Sequence, residues 1–285
     1  MNYKILFLLT IILISCITIY FTEKTIESFD TTRIPKKIWT FWDGEKPSFI
    51  NKCIDSWKKY NPDYEIIVLN KDNIHEYLPN LNMNFKHADD VRHFSDIIRI
   101  HILAEYGGIW SDASIICYGS YDWIIEVQQE KEVEFVGFWI QDELKDSPSI
   151  ENWFFAAPPN STMVNDWKDA LMESQNYDTK EEYINKLKEN YNLEQIDNPT
   201  YLWMHSAMQK ILQDKKNNYK YEIYSARDGP FKYLQENDWE PDKGIKDLTN
   251  CAKDKNCESK YNSLVKFTGY SRGSVNSDNE DLLFY

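Results

Sequence analysis

The chain has 285 residues, enough for one large domain with a well-developed core. Its formal net charge of -14, from 46 acidic against 32 basic residues, argues against a nucleic-acid-binding surface, which needs lysine and arginine in excess. An anionic ligand would have to be met by a local cation. Tyrosine and tryptophan number 19 and 10, which reads either as a bulky core or as platforms for sugar rings and nucleobases. The cysteines show no zinc-site spacing. Cys251 and Cys257 lie close enough to close a small disulfide loop in an oxidising compartment, with two free thiols as the alternative.

In chain order, residues 1–4 are a leader with one positive charge, and 5–21 are an uncharged apolar run near the lower length limit for a spanning helix. Glu23, Lys24 and Glu27 follow. The positive bias on the N-terminal side predicts a single-pass signal anchor, N-terminus cytoplasmic, with the rest of the chain lumenal or extracytoplasmic. No small-x-small cleavage site follows the run. A lipoprotein anchor at Cys16, after Leu13-Ile14-Ser15, is the competing reading, and the apolar run continues past it. Residues 22–33 then form a polar stem, 34–270 the main domain and 271–285 a polar tail.

Residues 34–41 predict a first buried strand, opened by Pro35, closed by Asp43-Gly44 and crowded at its end by Trp39, Phe41 and Trp42. A helix over 47–60, a strand over 64–69 and a short helix over 71–78 follow, and this alternation signals an α/β fold with a parallel sheet. A central helix begins at Arg92 or His93. Later elements are a helix over 121–129, strands over 133–140 and 153–157, and a helix capped by Ser161 and running to 174. Helices over 179–190 and 200–213 come next; beyond Asn217 the periodicity weakens, with a strand over 221–224. Asn160-Ser161-Thr162 is a glycosylation sequon, meaningful only in a eukaryotic secretory pathway.

The most informative stretch is SDIIRIHILAEYGGIWSDAS, residues 95–114. Asp96 and Arg99 stand at i and i+3 on one face of a helix otherwise rich in Ile and Leu. Burying charges costs several kcal/mol each, by order of magnitude, unless they are paired or meet a ligand. Tyr106-Gly107-Gly108 ends that helix, because glycine turns a helix end cheaply. A β-branched, aromatic-rich strand over 109–116 follows, broken by the single acid Asp112. A carboxylate near a strand terminus in an α/β sheet is where ligand sites usually form.

These residues resemble the core of the DxD-type glycosyltransferases of family thirty-two and its neighbours: the Och1-like mannosyltransferases, the capsular polysaccharide synthesis proteins and, more distantly, the large clostridial glucosylating toxins. The shared pattern is an S/D-x-x-R helix, YGG, an aromatic and Asp-x-Asp, here SDIIR, YGG, Trp110 and Asp112-Ala113-Ser114. IPKKIWTFWDG, CIDSWKKYNPDYEIIVLN, NWFFAAPP and YLWMH fall in the same order, so the resemblance covers roughly 34–268. It implies a single-domain, nucleotide-sugar-binding GT-A type fold, a Rossmann-like mixed sheet flanked by helices. It also implies a retaining glycosyltransferase that moves a hexosyl unit from a UDP- or GDP-linked donor to a glycan, polysaccharide or glycolipid acceptor.

Residue by residue, the resemblance makes Asp112 and Arg99 catalytic, Asp96 and Arg99 contacts to donor hydroxyls and phosphate, Trp39 the stacking partner of the donor base, and Trp110 part of the same pocket. Asp112, Ser114 and His205 are its candidate ligands for a divalent cation, Mn or Mg, which would act as a Lewis acid on the departing diphosphate. Ser114 departs from the second acid of Asp-x-Asp, and a neutral hydroxyl holds such a cation more weakly than a carboxylate. No dedicated general base is evident, which agrees with a leaving phosphate that takes the acceptor's proton. Each residue also has a structural alternative: a turn-capping Asp112, an intrahelical Asp96–Arg99 pair, a core Trp39 and a core His205. For the whole chain the alternatives are a non-catalytic nucleotide-sugar- or carbohydrate-binding homologue and a membrane-tethered interaction protein.

Overall fold

A computed structural model describes residues 32–88, 90–141, 146–214 and 218–285. The predicted leader, the apolar run at 5–21 and the stem up to residue 31 lie outside the described residues. No helix among the described residues is long and apolar enough to cross a membrane.

The β-branched and aromatic runs form strands β1 (Lys37–Phe41), β2 (Glu65–Leu69), β3 (Gly108–Ser111), β4 (Ile115–Cys117), β5 (Phe135–Gln141), β6 (Ser149–Ala157), β7 (Tyr221–Ser225) and β8 (Leu264–Lys266). Six of them make one mixed sheet in the order β2-β1-β3-β6-β5-β7. β2, β1 and β3 run parallel, β6 is antiparallel to both β3 and β5, and β7 is parallel to β5. β1 is therefore flanked by strands reached in opposite directions, the switch point at which open α/β sheets leave a crevice at their carboxyl ends.

The longer helices are α1 (Ser48–Tyr60), α2 (Val91–Tyr106), α3 (Asp122–Lys131), α4 (Thr162–Glu173), α5 (Lys180–Lys188), α6 (Trp203–Gln213) and α7 (Pro241–Lys253). Capping fixes where they start: the Asp90 carboxylate accepts from the Arg92 N–H, and the Ser161 hydroxyl from the Val164 N–H. Both faces of the sheet are covered, so alternate strand residues enter opposite layers. Ile109, Phe154 and Ala156 pack with Ile54 and Trp57 of α1, whereas Trp110, Phe155 and Ala157 pack with Ile98 of α2, Trp167 of α4 and Trp203 of α6.

Three parts differ from the sequence reading. The strand expected over 109–116 is two strands in two sheets, since β4 turns away after Asp112 to pair with β8. Asp112 thus stands at a strand end rather than inside one. Residues 271–285 do not hang free as a tail: Glu280 meets Lys52 and Ser48, the Tyr118 hydroxyl donates to the Leu283 carbonyl, and Tyr285 stacks on Tyr118. The region of weak periodicity contains α7, whose Cys251 is disulfide-bonded to Cys257.

Candidate active site

The carboxyl ends of β1 and β3 and the start of β6 border a cleft of about 710 Å³. Its floor is built from α2. Asp96 and Arg99, one turn apart, both line it, although each is at most 7% exposed. Arg99 Nη2 lies 3.3 Å from Asp96 Oδ1 and 3.5 Å from Asp112 Oδ1, so one guanidinium bridges the helix acid and the strand-end acid. The pairing expected from their spacing is present, and it extends to a third residue.

Each member of this group is held by further bonds. Asp96 accepts from Trp203 Nε1 at 2.9 Å and from Asn152 Nδ2 at 3.0 Å, and Arg99 donates to the Asn152 carbonyl at 2.6 Å. Burial pushes the Asp96 carboxyl above the usual carboxylate range against the pull of Arg99. Trp110, 1% exposed, lies under the Arg99 guanidinium at 5.1 Å, and its indole N–H donates to Asp112 Oδ1 at 3.0 Å. It supports the cleft from behind and does not line it.

Asp112 faces a second cation that the sequence reading missed. Lys266, at the end of β8 and 154 positions away, donates from Nζ to Asp112 Oδ2 at 2.7 Å and to Ser114 Oγ at 3.1 Å. The Lys266 side chain is 8% exposed and that of Asp112 27%. Burial works against the charge on Asp112, but Lys266 and Arg99 outweigh it and hold its carboxyl below the usual range. Burial lowers Lys266 as well, against the pull of Asp112. A lone lysine in the apolar run Leu264-Val265-Lys266-Phe267 is the same kind of signal that singled out Asp112.

The expected metal ligands do not fit a divalent cation as arranged. Asp112 and Ser114 converge on Lys266 Nζ, and the Ser114 hydroxyl donates to the Phe267 carbonyl at 2.8 Å. His205 lines the cleft but sets Nε2 3.4 Å from Glu151 Oε2, and its buried Nδ1 has no partner. Among the described residues no three His, Cys, Asp or Glu side chains are placed to hold a metal ion.

Trp39 also departs from expectation. It is fully buried, packs against Tyr77 and Tyr106 on the α2 side of the sheet, and donates to the Gly107 carbonyl at 2.9 Å. Position along β1 explains this: Trp39 lies two residues short of the strand end, in the layer between sheet and helix, whereas Phe41 on the same face and Trp42 just beyond the strand line the cleft. Trp39→Phe is expected to cost about 1–3 kcal/mol, because the buried Gly107 carbonyl loses its donor, and to leave nucleotide affinity unchanged. Thermal unfolding together with titration of UDP and GDP checks both halves, and a large loss of affinity would return Trp39 to the ligand.

Of the four basic side chains on the cleft wall, three are paired: Arg92 with Asp90, Arg99 with Asp96 and Asp112, and Lys266 with Asp112. Arg272 has no carboxylate partner among the described residues. In the other direction, Asp43 at the rim is matched by Lys71. Arg272 is therefore the one arginine or lysine of the cleft wall without a carboxylate partner among the described residues, in a chain of net charge -14.

Residues 12–244 match the family described as capsular polysaccharide synthesis protein. The chain belongs to that family. Among characterised proteins it is similar to O-glycosyltransferase braB of Annulohypoxylon truncatum, 26% identical over 172 residues that cover 51% of this chain and 40% of that protein. It is similar too to glycosyltransferase afumC of Aspergillus fumigatus, 24% identical over 156 residues, 46% of this chain and 38% of that one. The matched stretch thus spans about two fifths of those relatives. Among solved structures, PaToxG glycosyltransferase overlaps 88% of this family member and 87% of its own chain, with a TM-score of 0.40 and 16% identity.

Proposed function

We propose that this family member is a retaining glycosyltransferase of the GT-A type, which moves a hexosyl unit from a UDP- or GDP-linked donor to a glycan, polysaccharide or glycolipid acceptor. One observation carries the reading: Asp96, Arg99 and Asp112, from two elements that meet at the sheet's switch point, converge on one cleft. Three largely buried charges brought together this way are costly as a structural device and useful as a ligand grip. The glycosyltransferase names of the two fungal relatives support the same reading.

In the proposed reaction the donor's anomeric C–O bond breaks, its electron pair leaves on the diphosphate, and the acceptor oxygen bonds to the same face of the anomeric carbon. The acceptor's proton goes to the departing phosphate. Asp96 and Asp112 accept from donor hydroxyls and Arg99 meets sugar or phosphate oxygens. Trp42 and the exposed Tyr201, both at the cleft wall, are the platforms for base or sugar rings. The Cys251–Cys257 disulfide supports an oxidising compartment, in keeping with a domain held outside the cytoplasm by the apolar run at 5–21.

A thermal-shift series with UDP, GDP, ADP, CDP and dTDP tests the reading, since a ligand that binds only the native state raises its melting temperature. At least one diphosphate is expected to do so, and the matching sugar nucleotide to be hydrolysed slowly in the absence of acceptor, with NMR showing the anomer retained. Binding without turnover of any sugar nucleotide would favour the non-catalytic homologue. No binding at all would favour the interaction protein.

A further inference from the structure

We infer that Lys266, aided by Arg272, does the work of a divalent cation at this site, so that donor binding and transfer proceed without metal. This rests on the glycosyltransferase reading, in which the negative charge of a leaving diphosphate has to be neutralised. The Lys266 ammonium occupies the point on which Asp112 and Ser114 converge, at 2.7 and 3.1 Å. Asp112 Oδ1 already receives Trp110 Nε1 at 3.0 Å, with Arg99 3.5 Å away. The carboxylate that would anchor a metal is thus engaged by cations at both oxygens. Adding a divalent ion there would set two like charges side by side next to a lysine whose side chain is only 8% exposed, where water screens their repulsion less than at the open surface.

The same atoms make a diphosphate site once Lys266 is treated as the cation. Asp112 and Ser114 then hold the ammonium at the cleft wall from behind and leave its remaining donor capacity for phosphate oxygens. Arg272 follows on the same segment, lines the same cleft, and has no carboxylate partner among the described residues. Together they offer a fixed point charge and a planar fork, the two common ways a protein meets phosphate. When the anomeric C–O bond breaks, the charge that develops on the leaving oxygen is met by groups already in place, which is where preorganised electrostatics act most strongly. Serine at position 114 also finds its reason: a second carboxylate there would tie the ammonium down, whereas a hydroxyl positions it and leaves net positive charge for the ligand.

The test is titration of the full chain with UDP and GDP after EDTA treatment and again with millimolar Mn²⁺, repeated for Lys266→Met and Arg272→Gln. The same affinity is expected with and without Mn²⁺, with a loss of tenfold or more in each variant and no rescue of either by Mn²⁺. Binding that disappears in EDTA and returns with Mn²⁺ would overturn the inference and leave the glycosyltransferase reading standing. Failure of every nucleoside diphosphate to bind under either condition would overturn that reading itself. Variants that bind like the parent would also refute the inference. Should Lys266→Met not fold, the half-buried Arg272→Gln decides the outcome, with its melting temperature expected to match the parent's.

Discussion

Asp112→Asn is expected to lower stability and turnover while leaving nucleoside diphosphate affinity in EDTA unchanged or higher. The substitution keeps the shape of the side chain and an acceptor for the Trp110 indole N–H, and removes only the charge between Lys266 and Arg99. Breaking a buried ion pair on one side costs about 3–5 kcal/mol, because the surviving charge is left uncompensated. The partial exposure of Asp112 allows water to screen part of that, so about 2 kcal/mol is expected, a fall in melting temperature of roughly 4–8 °C for a domain of this size.

Turnover is expected to fall about 100-fold, the usual effect of disturbing a group that positions the reacting centre. Affinity holds or rises, because the phosphates lose a repulsive neighbour. The sign of that change separates two roles for the same residue. A metal-anchoring Asp112 predicts weaker diphosphate binding on substitution, and a lysine-holding Asp112 predicts binding as tight or tighter. Calorimetric titration of UDP and GDP against parent and variant reads the difference directly.

Much of the site was legible because charge in an apolar run is conspicuous. Asp96 and Arg99 stood out against the Ile and Leu of α2, and their spacing put them on one face, where they are found paired. Asp112 stood out for the same reason after the double glycine. Lys266 carries an equivalent signal, but nothing local says that it meets Asp112, since the contact depends on β4 leaving the main sheet to pair with β8. A tertiary pairing across 154 positions has no periodicity to reveal it. Trp39 shows the opposite limit: an aromatic near the end of a strand was recognised, but two residues of depth along the strand decide between core and cleft, since Phe41 on the same face lines the cleft and Trp39 does not. α7 was readable in principle, because Pro241 opens its first turn and Ile245, Leu248 and Ala252 follow at helical spacing. Its charged, lysine-rich exposed face hid that stripe.

The double glycine accounts for the second large effect. Gly107→Ala is expected to destabilise the fold by about 4 kcal/mol or more, whereas Gly44→Ala costs about 1 kcal/mol. Both glycines have positive φ, +61° and +83°, so both replacements carry conformational strain. They differ in what a side chain would meet. A Cβ on Gly44 has open space, while one on Gly107 would fall 2.4 Å from the Pro159 nitrogen and 2.7 Å from the Pro158 carbonyl carbon. Those neighbours are backbone and a proline ring, which cannot swing aside as a flexible side chain would. Gly108 meets the same limit on its other side, where a Cβ would sit 2.8 Å from the Lys37 carbonyl oxygen. The chain therefore passes from α2 into β3 between two walls of backbone, and only glycine is thin enough to make the passage. What this secures is the site, because the register of β3 between β1 and β6 sets where Asp112 emerges relative to Arg99. Denaturant unfolding of the two variants side by side measures the cost of the close approach, and equal losses at positions 44 and 107 would show that backbone conformation alone dictates glycine at both.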